Sequence, residues 1–85
     1  MNNKSWKEAF TLNTGTIDSR AVGEYLRALR GERTVEEVSD ALGICRSAVS
    51  MYESGSRTPR DDIKIRIAAY YGKTVQDIFF NPPVT

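Results

Sequence analysis

Apolar residues in the first part of the folded region recur at helical spacing behind a candidate N-terminal cap at Asp18 or Ser19. Residues three and four positions apart share one face of an α-helix. The pattern therefore predicts an amphipathic helix over about residues 19–32. Its apolar positions are Val22, Tyr25, Leu26 and Leu29.

A second helix is predicted directly after a short connection at residues 31–33. Thr34 and Glu37 form a capping box, in which the threonine hydroxyl and the glutamate carboxylate each bind the other residue's backbone N–H. Gly43 can adopt the left-handed conformation that ends a helix. A third helix then runs from about residue 46 to 54 and stops at Gly55.

Two further helices follow. Thr58 and Pro59 supply a cap and a proline at the first helical position, with Ile63 and Ile67 facing inward and Gly72 at the end. Residues 74–77 repeat the capping pattern and open a last short helix, and the prolines at positions 82 and 83 forbid its continuation. Five helices and no convincing strand predict an all-α fold, a five-helix bundle.

The predicted domain covers residues 19–80, between an N-terminal arm and a C-terminal tail at residues 81–85. Within the arm, residues 5–8 could open a helical turn, whereas residues 10–17 alternate like a strand. We expect residues 1–18 to be a flexible or partner-dependent arm, with an ordered extra element as the alternative.

The composition is informative mainly through the functions that it argues against. The 85 residues contain 12 Lys and Arg against 11 Asp and Glu, a net charge of +1, which does not by itself indicate a nucleic-acid binder. One cysteine and no histidine argue against a disulfide framework, a Cys/His zinc site and an acid–base active site. We therefore expect that the protein binds no metal or cofactor and is not an enzyme. Because the sequence has no apolar run of transmembrane length and no signal-like run, we also expect a soluble cytoplasmic protein.

The second and third predicted helices carry the functional signal. Two short helices joined by a three-residue turn containing Gly43 form a helix-turn-helix, whose second helix fits the major groove of B-DNA. The inward positions are Val38, Leu42, Ile44 and Val49, and those left to point away are Arg46, Ser47, Ser50, Met51 and Ser54.

Three segments together resemble the Cro/CI-like (Xre) family of helix-turn-helix regulators: LRALR, TVEEVSDALGICRSAVSMYESGSRTP and IAAYYGKTVQDIFF. The resemblance spans about residues 19–80 and depends on the combined spacing of Gly43, Val49, Glu53, Gly55 and Pro59. It implies a lambda-repressor-like bundle that binds operator double-stranded DNA, usually as a homodimer and most often as a repressor. No small-molecule effector is evident.

The resemblance also implies residue roles in reading bases, at Cys45, Arg46, Ser47, Ala48 and Met51. Arg46 is the strongest candidate, because its planar fork can donate twice to guanine O6 and N7. Met51 and Ala48 could contact a thymine methyl group, or could simply fill surface.

Phosphate contacts are implied at Thr34, Ser50, Ser54, Ser56 and Arg57, although Ser54 and Ser56 could be turn formers only. The family pattern also suggests that Arg30 pairs with Glu53. That pairing is reasonable on other grounds, since Glu53 is the sole acid in residues 45–60 and an unpaired carboxylate there would repel phosphates.

Two positions depart from the family pattern. Val35 stands where many relatives carry Gln, so that contact is expected to be absent. Cys45 stands where Ser or Thr usually caps the recognition helix, and a thiol accepts hydrogen bonds poorly. It is either a weak cap or, at a helix N-terminus beside Arg46, a redox-sensitive thiol.

The last helix is more apolar than a small core requires, which predicts a symmetric dimer contact formed by Ile78, Phe79 and Phe80, with core filling as the alternative. The rival function is an antitoxin-type interaction module, in which this surface or the arm grips another protein and DNA binding is secondary.

Overall fold

The computed structural model describes residues 19–80 and residue 82, and this part of the chain is all-α, as predicted. Its helices are α1 (Ser19–Arg30), α2 (Val35–Leu42), α3 (Arg46–Ser54) and α4 (Asp61–Tyr71), followed by a C-terminal π-helix (Gln76–Phe80). None of these helices is both long enough and apolar enough to cross a membrane. The predicted N-terminal arm, and the tail apart from Pro82, lie outside the described residues.

The start of α2 is set by the predicted capping box. The Glu37 N–H donates to Thr34 Oγ1 at 3.0 Å, and the Thr34 N–H donates to Glu37 Oε1 at 2.9 Å. At the other end Gly43 has a φ of 70°, and its N–H donates to the Asp40 carbonyl at 3.3 Å. Both ends of α2 are therefore fixed by interactions within a few residues, which is why the sequence pattern predicts them correctly.

The start of α4 differs from the prediction by two residues. Arg60, with extended backbone angles, is the N-cap, and α4 begins at Asp61. Pro59 is buried ahead of the helix instead of forming its first turn. The Thr58 hydroxyl lies 3.2 Å from the Ser19 hydroxyl at the beginning of α1, so the residue expected to cap α4 interacts with another helix instead.

The core lies where α1, α2, α3 and α4 meet the C-terminal π-helix. Its buried apolar residues are Val22, Leu26, Val38, Leu42, Val49, Ile63, Ile67, Ala68, Ile78 and Phe79. Every buried side-chain nitrogen or oxygen in the described part of the chain has a hydrogen-bond partner. The bundle is thus closed by apolar packing without unsatisfied polar groups inside it.

The π-helix carries the three residues of the predicted dimer contact, which differ in exposure. Ile78 is 0% exposed and Phe79 is 3% exposed, so both side chains are used by the core of a single chain. Phe80 alone of the three keeps a substantial surface, at 50% exposed. The core of the chain buries the side chains of Ile78 and Phe79, which leaves Phe80 as the accessible part of the predicted contact.

α1 and α3 approach each other so closely that two positions between them require glycine. A Cβ atom added at Gly23 would overlap the carbonyl oxygen of Glu53, and one added at Gly55 would lie 2.9 Å from Arg20 Cα. Gly55 also has a φ of 82°, a conformation that side chains disfavour. The C-terminal end of α3 is therefore held against α1 at backbone distance.

Candidate nucleic-acid interface

The orientation of α3 relative to α2 is set by the turn at residues 43–45. The Ile44 N–H donates to the Ser39 carbonyl at 3.1 Å, which closes the end of α2, and the half-buried Ile44 side chain packs against the core. Val38 and Val49 are buried between the two helices. The predicted helix-turn-helix is thus present with its inward side chains packed as expected.

The opposite face of α3 is open. Arg46, Ser47, Ser50 and Ser54 are exposed, and Ala48 and Met51 are half-buried. Small side chains on an exposed helix face allow another molecule to approach the backbone closely. The arrangement suits entry of the helix into a wide groove such as the major groove of DNA, and Arg46 is the longest exposed side chain on this face.

The N-terminal end of α3 carries Cys45 as its N-cap. The backbone there is extended, with φ −80° and ψ 158°, which is the geometry of a capping residue, yet among the described residues its thiol makes no capping hydrogen bond. The exposed Sγ instead lies 3.3 Å from Ser47 Oγ. The Ser47 hydroxyl, and after it the backbone N–H of Ala48, face the sulfur and would stabilise its thiolate form, which lowers the pKa of the Cys45 thiol.

The C-terminal end of α3 is closed around one atom, the Met51 carbonyl oxygen. Ser54 Oγ donates to it at 3.1 Å, and the backbone N–H groups of Ser56 and Arg57 donate at 3.0 and 3.3 Å. Ser56 Oγ lies 3.0 Å from Ser54 Oγ and 3.4 Å from the same carbonyl. Both hydroxyl groups are therefore engaged in the turn, and a phosphate oxygen, which only accepts, would have to displace one of these bonds.

Arg30 and Glu53 are in direct contact between α1 and α3. Arg30 Nε donates to Glu53 Oε2 at 2.8 Å and Nη2 donates to Oε1 at 3.0 Å, a bidentate pair. This hydrogen bonding raises the pKa of Arg30. Arg27 adds a longer contact of 3.9 Å to the same carboxylate. The one acidic side chain of residues 45–60 is thus turned inward and neutralised, away from the open face of α3.

A second ion pair, not predicted from the sequence, lies at the other end of α3. Arg46 Nη2 is 4.0 Å from Glu36 Oε2 on the first turn of α2, and both side chains are exposed. The sequence carried a partial signal, because the capping box uses Glu37 and leaves Glu36 free to face elsewhere. What it could not show is that α2 and α3 bring residues ten positions apart in the chain together.

The family model for helix-turn-helix proteins matches residues 25–78, which contain the second half of α1, all of α2, α3 and α4, and the start of the π-helix. The chain belongs to this helix-turn-helix family. Its members of the Cro/CI-like (Xre) type are DNA-binding transcription regulators, so the open face of α3 is the expected DNA-contacting surface. Neither a curated protein nor a solved structure matches the chain significantly.

As a helix-turn-helix protein, the chain places the predicted contact residues in three groups. Cys45, Arg46 and Ser47 lie together at the front of α3, and Ser50, Ser54, Ser56 and Arg57 lie along and after its exposed side. Thr34 is exposed at the N-terminus of α2, where its hydroxyl serves the capping box. All three groups belong to α2, to α3 or to the turn that follows α3.

Proposed function

We propose that the protein is a sequence-specific double-stranded DNA-binding repressor that acts as a homodimer on a pseudo-palindromic operator. The observation that carries the proposal is the acid-free exposed face of α3, with Arg46 at its N-terminal end and Glu53 turned inward onto Arg30. A carboxylate on that face would repel the phosphate backbone, and Glu53, the only acid of residues 45–60, points away from it.

Arg46 is the principal base-reading residue in this proposal. Its side chain is 68% exposed and its guanidinium is a fork of donors that matches guanine O6 and N7 in the major groove. Ser47 is the neighbouring polar reader, and Cys45 lies at the same end. Ala48 and Met51, being half-buried, present limited apolar surface to a thymine methyl group.

Phosphate contacts would come from around the same helix. Arg57 is exposed immediately after the α3 C-terminal turn, Ser50 is exposed on α3, and Thr34 places the first turn of α2 near the backbone. Ser54 and Ser56 can contribute only by exchanging a bond within the turn, so we rank them below Arg57. Binding should weaken steeply with salt, because each neutralised phosphate adds about −0.9 to the slope of log K against log salt.

The homodimer follows from the geometry of operators read by this kind of motif. Two copies of α3 would lie in successive major grooves, with half-sites roughly 34 Å apart. Phe80, not the buried Ile78 and Phe79, is the residue of the C-terminal π-helix that can contribute to the dimer contact. Repression would result from blocking access of polymerase to the promoter.

The test is selection of bound sequences from random duplex DNA, run in parallel for the wild type, Arg46→Ala and Arg60→Ala. We expect an enriched pseudo-palindrome containing guanine in each half-site, loss of that guanine with Arg46→Ala, and an unchanged motif with Arg60→Ala, since Arg60 lies at the start of α4. A wild-type protein that enriches no motif would refute sequence-specific recognition.

A second candidate, the antitoxin-type interaction module, is favoured by two exposed large apolar side chains, Ile65 at 62% and Phe80 at 50%. Such surfaces mark protein contacts when they are contiguous with others. Expression in the native host followed by size-exclusion chromatography separates the candidates. A stoichiometric partner protein lost with Phe80→Ser would support the interaction module, whereas a homodimer lost with the same change supports the repressor.

A further inference from the structure

The Arg46–Glu36 pair raises a question that the proposed function does not answer. Arg46 must bind a base edge, yet a carboxylate lies 4.0 Å from its guanidinium in the free protein. An acid so close to the DNA surface should weaken binding, because phosphates repel it. If affinity alone mattered, a neutral residue at position 36 would serve better.

Local helix stability does not account for Glu36. The reciprocal hydrogen bonds of the capping box are made by Thr34 and Glu37, whose carboxylate accepts from the Thr34 N–H at 2.9 Å. A second acid in the first turn of a helix adds only a weak, salt-screened interaction with the helix dipole. Within the described part of the chain, the one ion pair that Glu36 makes is with Arg46.

The geometry of the pair makes its effect depend on where Arg46 goes. A phosphate bound by the guanidinium where it lies beside Glu36 would add a second negative charge next to that carboxylate. A guanidinium extended into the groove would bind the two uncharged guanine acceptors and leave the carboxylate behind. Like-charge contact thus penalises the first arrangement more than the second.

We propose that Glu36 is a specificity-determining residue that restrains Arg46 in the free protein and selectively weakens its contacts with phosphate. The inference rests on the proposed function, since it assumes that Arg46 reads a base. Glu36 touches no base itself in this account. It acts through Arg46, by raising the ratio of affinity for the operator to affinity for unrelated DNA.

The low net charge of +1 is consistent with this role. A binder with a weak overall field gains little non-specific affinity from long-range attraction, so its few exposed cations near the interface decide how strongly it holds random duplex. Arg46 is one of them, and the neighbouring Glu36 carboxylate lowers its contribution by a modest amount wherever no guanine is present.

The test compares Glu36→Gln with the wild type on two labelled duplexes, one carrying the selected motif and one with the same base composition scrambled, at several salt concentrations. Glutamine keeps the shape and length of the side chain and removes the charge. We expect the affinity for the scrambled duplex to rise roughly two- to fivefold, as for loss of an exposed charge contact. The affinity for the motif should change less, so the specificity ratio falls.

Two control arms separate this role from a general charge effect. Asp40→Asn removes an exposed acid one turn further along α2, and should leave the ratio unchanged. In an Arg46→Ala background, Glu36→Gln should have no effect on the ratio, because the two residues act as a coupled pair. A gain that is equal on both duplexes, or that persists without Arg46, would overturn the inference.

The same measurements distinguish this inference from the proposed function. A wild-type protein that binds both duplexes equally removes the proposed function itself. A wild-type protein that prefers the motif, together with a Glu36→Gln variant of unchanged specificity, removes only the role of Glu36. Melting curves of each variant by circular dichroism verify that the comparison is made between folded proteins.

Discussion

The two ends of the recognition helix each carry an arginine–glutamate pair, and the two pairs differ in almost every physical respect. At the C-terminal end, Arg30 binds Glu53 through two short hydrogen bonds, and the two side chains are 20% and 4% exposed. At the N-terminal end, Arg46 and Glu36 approach to 4.0 Å, with side chains 68% and 62% exposed. The same two residue types therefore form a buried, hydrogen-bonded pair at one end of α3 and an exposed, longer-range pair at the other.

The difference follows from solvent. A buried carboxylate that loses its partner remains desolvated and uncompensated, so the inner pair is costly to break. An exposed pair exchanges its partner for water at little cost, so the outer pair is easily opened by a competing ligand. The inner pair, Arg30 and Glu53, fixes the position of α3 against α1. The outer pair, Arg46 and Glu36, can separate when another molecule binds Arg46.

The comparison is tested most strongly by Glu53→Ala. Removing this carboxylate takes the bidentate partner from Arg30, which keeps its Nη1 hydrogen bond to the Arg33 carbonyl, and we expect a loss of about 3 kcal/mol in the free energy of unfolding. For a domain of this size the melting temperature should fall by at least roughly 10 °C. Glu36→Ala is the matched control and should cost under about 1 kcal/mol, measured by thermal and urea denaturation. Equal losses for the two variants would remove the distinction between the pairs.

The close packing of α1 against the C-terminal end of α3 can be tested separately with Gly23→Ala. Alanine normally stabilises a helix relative to glycine, but here the added methyl group overlaps the Glu53 carbonyl oxygen. We expect a net loss of about 3 kcal/mol from overpacking. Gly31→Ala is the control, since its methyl group would meet atoms no closer than 3.9 Å and costs only about 1 kcal/mol of backbone strain. If Gly23→Ala melts no lower than Gly31→Ala, the helices are not in backbone contact.

Arg46→Ala should show the opposite signature from Glu53→Ala. The arginine is exposed, so the melting temperature should stay within about 2 °C of the wild type. Affinity for the selected duplex should weaken by about 2 kcal/mol, roughly thirtyfold, for each half-site that loses its guanine contact. Fluorescence anisotropy with the selected and scrambled duplexes measures the effect. A loss of stability as large as that of Glu53→Ala would mean that both ends of α3 are structural.

The smallest expected effect concerns the N-terminal cap of α3, which Cys45 occupies. Cys45 has the backbone geometry of an N-cap without a capping hydrogen bond. In Cys45→Ser the hydroxyl can accept from the first backbone N–H groups of α3, which should stabilise the protein by about 1 kcal/mol. Cys45→Ala, which can accept nothing, is the control and should not raise the melting temperature. A serine variant that melts no higher would show that the thiol already serves the helix as well as a hydroxyl.

Local interactions account for the parts of the fold that the sequence predicted. The capping box of Thr34 and Glu37 and the helix end at Gly43 depend on residues within one turn of each other, so their pattern is visible in the chain. The order and class of the helices followed from such signals. The start of α4 was misplaced because Thr58 interacts with Ser19, a residue thirty-nine positions away.

Long-range packing accounts for what the sequence could not provide. Nothing in the neighbourhood of Gly23 indicates that another helix backbone lies against it, and the burial of Ile78 and Phe79 depends on where α1 and α4 sit. Of the site, the exposed face of α3 was predictable from spacing, and its contact roles remain predictions. The Glu36–Arg46 pair depends on the angle between two helices, which no linear pattern encodes.

The Met51 carbonyl oxygen has a consequence for how this protein could be redirected to new DNA sequences. It gathers hydrogen bonds from Ser54, Ser56 and Arg57, so the residue secures the end of α3 through its backbone, whichever side chain it carries. On the proposed DNA contacts, in which Met51 lies against a base, a library randomised at position 51 would therefore sample new base preferences while leaving the turn intact. Position 51 separates the choice of target from the architecture that presents it, which makes it the natural first site for engineering.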